Sequence, residues 1–231
     1  QHRRHIPIPS RPTTTARVMN PAIPYDPARD FAAISLIYRT PFLLTVPAAS
    51  PIRSLAELVA AAKAWPAAVV YGSIGPATVT HLAMEELATR HGCYLEHAVY
   101  RGFPEMTLDL AAGRIDCCLN TTFAALPAVQ DGRIRALAVT SDQRSALFPE
   151  VPTVAEAGEP DAVCFGWTGM VGPAATPLDR RSAIAAAIRQ AIATPEGRAN
   201  LDRQGGEFIG STPEEFATMS RDETARWTTV I

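Results

Sequence analysis

Apolar and polar positions divide the chain into a head without periodicity and a long stretch of short alternating runs. From Gln1 to Asp30, prolines at 7, 9, 12, 21, 24 and 27 break every window, which predicts extended or irregular chain. β-rich apolar runs follow at Phe31–Tyr38 and Phe42–Val46. Ser54-Leu55-Ala56-Glu57 then reads as a capping box opening a helix to about Trp65, which Pro66 ends. The rhythm continues as strand Ala68–Gly72, helix Pro76–Arg90, strand Leu95–Tyr100, helix Glu105–Ala112, strand Ile115–Leu119, helix Phe123–Gln130 and strand Ile134–Thr140. A second box, Thr153-Val154-Ala155-Glu156, predicts a short helix closed by Gly158. After an apolar run at Phe165–Val171 the pattern is helical: Leu178–Ala193, Glu196–Gln204, a brief apolar Phe208-Ile209, and a last helix opened by Thr212-Pro213-Glu214-Glu215. Strands alternating with helices of this length mean an α/β fold with a mostly parallel sheet.

Two stretches can act as crossings between lobes. The reading is a head at 1–30, a crossing at 31–46, an inserted α/β lobe at 47–164, and a second crossing with C-terminal helices at 165–231. A block inserted through two connections is the geometry of a hinged cleft that closes on a ligand. One continuous sheet is the other reading of the same pattern.

Composition narrows the function classes. Lys+Arg 21 against Asp+Glu 23 gives a net charge of −2 over 231 residues, with no excess cation for nucleic acid or anionic lipid. No apolar run approaches the roughly 18 residues of a membrane span. The 4 cysteines fit neither a disulfide scaffold nor a zinc pattern, and the adjacent pair Cys117-Cys118 reads as small apolar filler on opposite faces of a strand. The start, Gln1-His2-Arg3-Arg4-His5, lacks the apolar core of a signal peptide, so a leader was either removed or never present.

The most informative loop is Tyr71-Gly72-Ser73-Ile74-Gly75-Pro76-Ala77-Thr78-Val79-Thr80-His81, which leaves a strand and enters a helix. Small residues at Gly75, Pro76 and Ala77 let a ligand approach the backbone. Free N–H groups at the helix start, with hydroxyls of Ser73, Thr78 and Thr80, can hold a carboxylate or phosphate oxygen. An ordinary capped turn is the competing explanation. The loop lacks the P-loop and dinucleotide fingerprints, and Ser73 is not in a G-x-S-x-G context. His81 and Glu85 share a helix face, but no second His completes H-E-x-x-H, so helix packing is the default for His81 and no metal is expected. Two further strand-to-helix junctions, Tyr100-Arg101-Gly102 and Asn120-Thr121-Thr122, add candidates, and Trp167 in the second crossing could wall a cleft. An enzyme, a hydrolase or transferase using His81 or Cys118, is disfavoured because no nucleophile sits beside a base in a recognised spacing.

Several segments together resemble the periplasmic solute receptors of the tripartite tricarboxylate transporter family, the Bug receptors. They are Tyr25-Asp26-Pro27-Ala28-Arg29-Asp30-Phe31, Tyr71-Gly72-Ser73 through His81-Leu82-Ala83, Val99-Tyr100-Arg101-Gly102, Leu126-Pro127-Ala128, 135–141, 151–158 and Thr212-Pro213-Glu214-Glu215-Phe216. The resemblance implies a type II periplasmic-binding-protein fold with two lobes. It also implies capture of a small organic acid or amino acid, delivery to membrane permease subunits, a periplasmic location, no cofactor and no catalysis. It points to ligand contacts at Ser73, Gly75, Pro76, Ala77 and Thr78, with Tyr100, Asn120 and Trp167 as further candidates. Two departures stand out. Nothing before Tyr25 contains a Gly, whereas the family begins with a βαβ segment carrying a Pro-Gly-Gly loop, so the first lobe is expected to be incomplete at its N-terminal side. A non-binding remnant is the alternative that this allows. The second departure is Asn120, where the family commonly carries Asp.

Overall fold

The computed structural model describes residues 22–64, 69–202 and 206–230. In chain order the elements are α1 (Pro27–Asp30), β1 (Phe31–Pro47), α2 (Leu55–Ala64), β2 (Val70–Ser73), α3 (Val79–His91), β3 (Glu96–Val99), α4 (Phe103–Ala111), β4 (Cys117–Thr121), α5 (Thr122–Gln130) and β5 (Ile134–Val139). A 3₁₀ turn at Pro160–Ala162 precedes β6 (Phe165–Pro173), α6 (Leu178–Ile192), α7 (Pro195–Asp202), β7 (Glu207–Phe208) and α8 (Pro213–Thr228). Residues 1–21 of the expected head, and the helix end at Trp65 and Pro66, lie outside the described residues. The chain divides into two compact units, one running Thr40–Gly166 and the other ending at Arg39 and resuming at Trp167.

The Thr40–Gly166 unit is built on strands in the order β3-β2-β4-β1-β5. β2 runs parallel to β3 (Tyr71↔His97) and to β4 (Tyr71↔Cys117), while β1 is antiparallel to β4 (Leu44↔Leu119) and to β5 (Leu43↔Val139). The sheet is therefore mixed rather than mostly parallel. Strand–helix alternation fixes direction only for strands joined by one crossover, and β1 reaches its neighbours β4 and β5 through several elements. Leu43, Met106, Leu110, Ile115, Cys118, Ala125, Ala128, Ile134, Val139, Phe148 and Val151 form one buried cluster of the core, drawn from the sheet, α4, α5 and the segments before β4 and after β5. Each aliphatic side chain so buried contributes about 1.5–3 kcal/mol before conformational entropy is counted.

Three local readings change. The two runs expected as separate strands are one strand, β1, because Arg39-Thr40-Pro41 stays extended, as a residue before proline prefers. The helix expected from Pro76 starts at Val79, since Gly75 (φ 129°) and Ala77 (φ 59°) hold backbone conformations no α-helix contains. The box at Thr153 forms its reciprocal bonds, Glu156 N–H to Thr153 Oγ1 at 3.1 Å and Thr153 N–H to Glu156 Oε2 at 2.8 Å, yet closes only a turn. The chain bends away at Gly158 before a second helical turn can form, and isolated short helices are not self-sustaining. Within the head, Asp26 caps α1, accepting the Ala28 N–H at 3.1 Å, so this part is not irregular.

In the other unit, β1 pairs with β7 (Tyr38↔Phe208, Arg39↔Glu207) and with β6. Arg39 Nε meets Glu207 Oε2 at 2.7 Å, and Leu36 N–H donates to Ser211 Oγ at 2.9 Å. α8 opens with a complete Thr212–Glu215 capping box and packs Phe216 against Gly169 and edge-on to Trp167, ring centroids 5.6 Å apart. Among the described residues no helix is long and apolar enough to cross a membrane.

Candidate functional site

The site grows from β2, Val70-Tyr71-Gly72-Ser73. Gly72 is required for packing: a Cβ there would lie 2.7 Å from Ile115 Cδ1 and 2.9 Å from Met106 Cγ, so its absence lets α4 and the segment before β4 close onto the strand. Tyr71 and Ser73 are fully buried. Because β3, β2 and β4 run parallel, the junctions after Val99, Ser73 and Thr121 share one edge of the sheet. This is the edge where open α/β sheets place ligands.

The turn between Ser73 and α3 is tied by its own hydroxyls. Ser73 Oγ accepts the Gly75 N–H at 3.1 Å, and the Thr78 hydroxyl donates to Gly75 O at 2.7 Å. Thr80 Oγ1 accepts the Ile74 N–H at 3.3 Å and lies 2.9 Å from Thr78 Oγ1. Thr78 has the extended backbone of an N-cap, yet its side chain makes no capping bond. Its hydroxyl is turned back into the loop, so the first amides of α3 receive no side-chain cap. The His81 amide donates to Thr78 O at 3.0 Å, so the Val79 and Thr80 amides, with the helix dipole behind them, are what make this helix start a patch of partial positive charge. Such a patch accepts a carboxylate or another oxyanion without a cationic side chain.

Beneath the turn lies a ring stack absent from the sequence expectation. His97 of β3 stacks on Tyr71 at 4.8 Å between centroids, and His81 of α3 lies 4.4 Å from His97. His97 Nε2 is 2.6 Å from Ser73 Oγ, His81 Nδ1 accepts the Ala77 N–H at 3.3 Å, and the Tyr71 hydroxyl donates to Glu85 Oε1 at 2.5 Å. Burial lowers the pKa of both histidines, His97 also feeling its neighbour His81, against opposing pulls from Glu85 and Glu96. Burial and the bond to Glu85 push Tyr71 far above the ordinary phenol range.

The other expected residues are placed as follows. Tyr100 N–H donates to Ser73 O at 2.9 Å, tying its backbone to the turn, while its hydroxyl donates to Asp109 Oδ2 at 3.1 Å; burial pushes that phenol to about 12. Asn120 is 0% exposed: Nδ2 donates to Thr45 Oγ1 at 3.1 Å and Cys118 Sγ at 3.2 Å, and Oδ1 accepts from Thr107 Oγ1 at 3.0 Å. Pro76 is exposed at the tip of the turn, Arg101 is exposed beside Tyr100, and Trp167 belongs to the other unit. Cys118 is enclosed and its thiol is pushed up to about 12 by burial, which removes the thiolate a nucleophile needs. The structure thus gathers Ser73, Gly75, Ala77, Thr78 and the Tyr100 backbone. Two cavities, of about 690 Å³ along α8 and about 640 Å³ between α2, β5 and the Glu150–Ala157 turn, lie away from this turn.

A family model described as "Tripartite tricarboxylate transporter family receptor" matches residues 5–231. A UPF0065 protein from the tcbD-tcbE intergenic region of Pseudomonas sp. (strain P51) is 37% identical over 216 residues, covering 93% of this chain and 64% of the relative. BugT of Bordetella pertussis is 28% identical over 222 residues, covering 96% and 68%. Among solved structures, R. palustris Rpa4515 with adipate is 32% identical with a TM-score of 0.78, over 89% of this chain and 69% of that one. The periplasmic binding protein BugD, 23% identical with a TM-score of 0.80 over 95% and 74%, shows the shared fold. The chain spans about two thirds of the length of these curated relatives, and its fold is that of the type II periplasmic binding proteins. With an uncapped helix start at the parallel edge of such a fold and a family match over nearly its whole length, the chain belongs to the tripartite tricarboxylate transporter receptor family, which includes the Bug proteins.

Proposed function

We propose that the chain is the ligand-capturing part of a periplasmic receptor that binds a small organic acid or amino acid through a carboxylate. It passes that solute to membrane permease subunits of a secondary transporter and performs no chemistry on it. The start of α3 carries this reading: a cap residue whose hydroxyl is bonded into the loop leaves the Val79 and Thr80 amides to an incoming anion. Gly75, Pro76, Ala77 and Thr78 form the carboxylate end of the site, and the buried Ser73 and the Tyr100 backbone support them from behind. Asn120 acts from behind, through Thr107 and Thr45. The adipate bound by the R. palustris relative supports a straight-chain dicarboxylate as the first solute to test.

Titration calorimetry of this chain against dicarboxylates including adipate, amino acids and aromatic acids tests the reading. At least one carboxylate is expected to bind, and its amide or alcohol analogue is not. Thr78→Val, which keeps the side-chain shape but removes the hydroxyl that ties the turn to Gly75 O, is expected to weaken binding about tenfold, the upper end of what one neutral hydrogen bond contributes. Absence of heat and of thermal shift with every carboxylate would overturn the proposal.

A further inference from the structure

Two backbone positions in the turn depart from ordinary conformations: Gly75, held by Ser73 and Thr78, and Ala77, whose N–H donates to a histidine. Gly75 is held through Ser73, whose Oγ accepts the Gly75 N–H and lies 2.6 Å from His97 Nε2. Ala77 is held directly by His81 Nδ1, which accepts its N–H at 3.3 Å. An alanine at φ 59° is disfavoured by its Cβ, so the conformation persists only while its surroundings hold it.

The chemistry of the two contacts differs. A backbone N–H only donates, so His81 Nδ1 must carry a lone pair and the ring must be neutral with its proton on Nε2. Protonation sets N–H against N–H and removes the contact. Ser73 both donates and accepts, so His97 serves it in either protonation state. Sensitivity to protons therefore resides in His81. We infer that His81 is the positioning residue of the anion turn: its bare Nδ1 keeps Ala77 left-handed, and protonation of the ring releases the turn and carboxylate capture with it. This rests on the carboxylate reading for its second half only, since the release of Ala77 is a property of the turn itself.

The groups facing the pair leave it poised rather than locked. On α3, Glu85 pulls His81 toward the charged form, but it is already engaged by the Tyr71 hydroxyl from β2. On β3, His97 opposes a second charge beside His81, Glu96 favours one, and Glu96 also accepts from Tyr94 at 3.1 Å. On β4, the buried Cys117 thiol behind Tyr71 stays neutral. Burial lowers both histidines, which keeps the turn assembled near neutrality.

The test follows the Ala77 amide and the imidazole resonances by NMR, and adipate affinity by calorimetry, between about pH 8 and about pH 5, the range in which a histidine changes charge. In the wild-type chain the Ala77 amide is expected to shift with the His81 titration. Adipate affinity is expected to fall about tenfold per pH unit below it, the slope for one linked proton. His81→Asn, whose Oδ1 occupies the place of Nδ1 without titrating, is expected to bind within about twofold of wild type at high pH and to lose the extra acid-dependent fall. His81→Leu is expected to be about tenfold weaker at every pH, the Nδ1 acceptor of the Ala77 N–H being removed. An Ala77 amide indifferent to His81 titration, or His81→Asn following the wild-type pH profile, overturns the inference. Should adipate bind at no pH, the carboxylate reading fails and the Ala77 titration alone decides the role of His81.

Discussion

Replacing Asn120 by Asp exchanges an amide for an isosteric carboxyl at a fully enclosed position of β4. The amide nitrogen donates to Thr45 and Cys118, and the carbonyl accepts from Thr107, with no cation among these partners. A carboxyl placed there has its charged form penalised by desolvation, so its folded-state pKa rises. For a group buried to this degree a rise of about 3 units above the unfolded value of about 3.9 is reasonable, equivalent to about 4 kcal/mol. The sign follows from linkage. A raised carboxyl binds more protons folded than unfolded, so Asn120→Asp approaches wild-type stability below about pH 4, where the acid O–H can donate in place of the amide. Stability then falls by about 1.4 kcal/mol per pH unit and levels off above about pH 7. Urea titrations of both proteins across this range give the difference directly, a midpoint shift of about 2 M at neutral pH for an m of about 2 kcal/mol/M. A difference that stays flat with pH would refute the reasoning, because the carboxylate would then have found water, and Asn120 would be an accessible wall rather than a buried support.

Gly72→Ala forces a methyl against Ile115 and Met106 and is expected to cost about 1–3 kcal/mol, a melting decrease of a few degrees by calorimetry; an unchanged melting temperature would mean Met106 moves aside freely. Arg135→Met removes three bonds to the carbonyls of Ala48, Ser50 and Ile52, at 2.6, 3.1 and 3.1 Å, and is expected to destabilise by about 2–4 kcal/mol in denaturant unfolding. In the wild-type chain the lowered pKa values of His81 and His97 mean stability is full above the unfolded histidine value of about 6.5 and is lost as pH falls through the folded values. The fall should begin above the carboxylate range and disappear in the His81→Asn, His97→Gln double variant, which equilibrium unfolding at about pH 7 and about pH 5.5 can check.

Much of the fold was legible because element signals were local. The Thr212-Pro213-Glu214-Glu215 start of α8 and the strand–helix alternation from Val70 to Val139 needed no knowledge of distant contacts. Strand direction was not local: β1 is antiparallel to β4 and β5, and no residue in β1 records that. Thr153 to Glu156 shows a related limit. Its capping bonds form as the residues dictate, but a cap stabilises a helix only where following residues continue it, and here the chain turns back so that Val154 N–H meets Val139 O.

The turn proposed to hold the anion is singled out by its small residues and its place between a strand and a helix, whereas the histidine layer beside it carries no such local signal. His81 lies inside the recognisable segment, but its partner His97 lies 16 residues away on another strand, and only the parallel register Tyr71↔His97 brings the two rings together. A histidine on a short edge strand carries no signal of its own, since period-2 alternation says which face it takes but not what the neighbouring strand presents there. The same register explains why Tyr71 is buried despite its hydroxyl. Its ring faces His97, and its O–H reaches Glu85, the residue one helical turn beyond His81. The turn proposed as the capture surface is thus specified by adjacent residues, while the layer packed against it is specified by strand pairing. Substitutions in that layer should therefore alter the pH profile of binding before they alter which group the turn accepts.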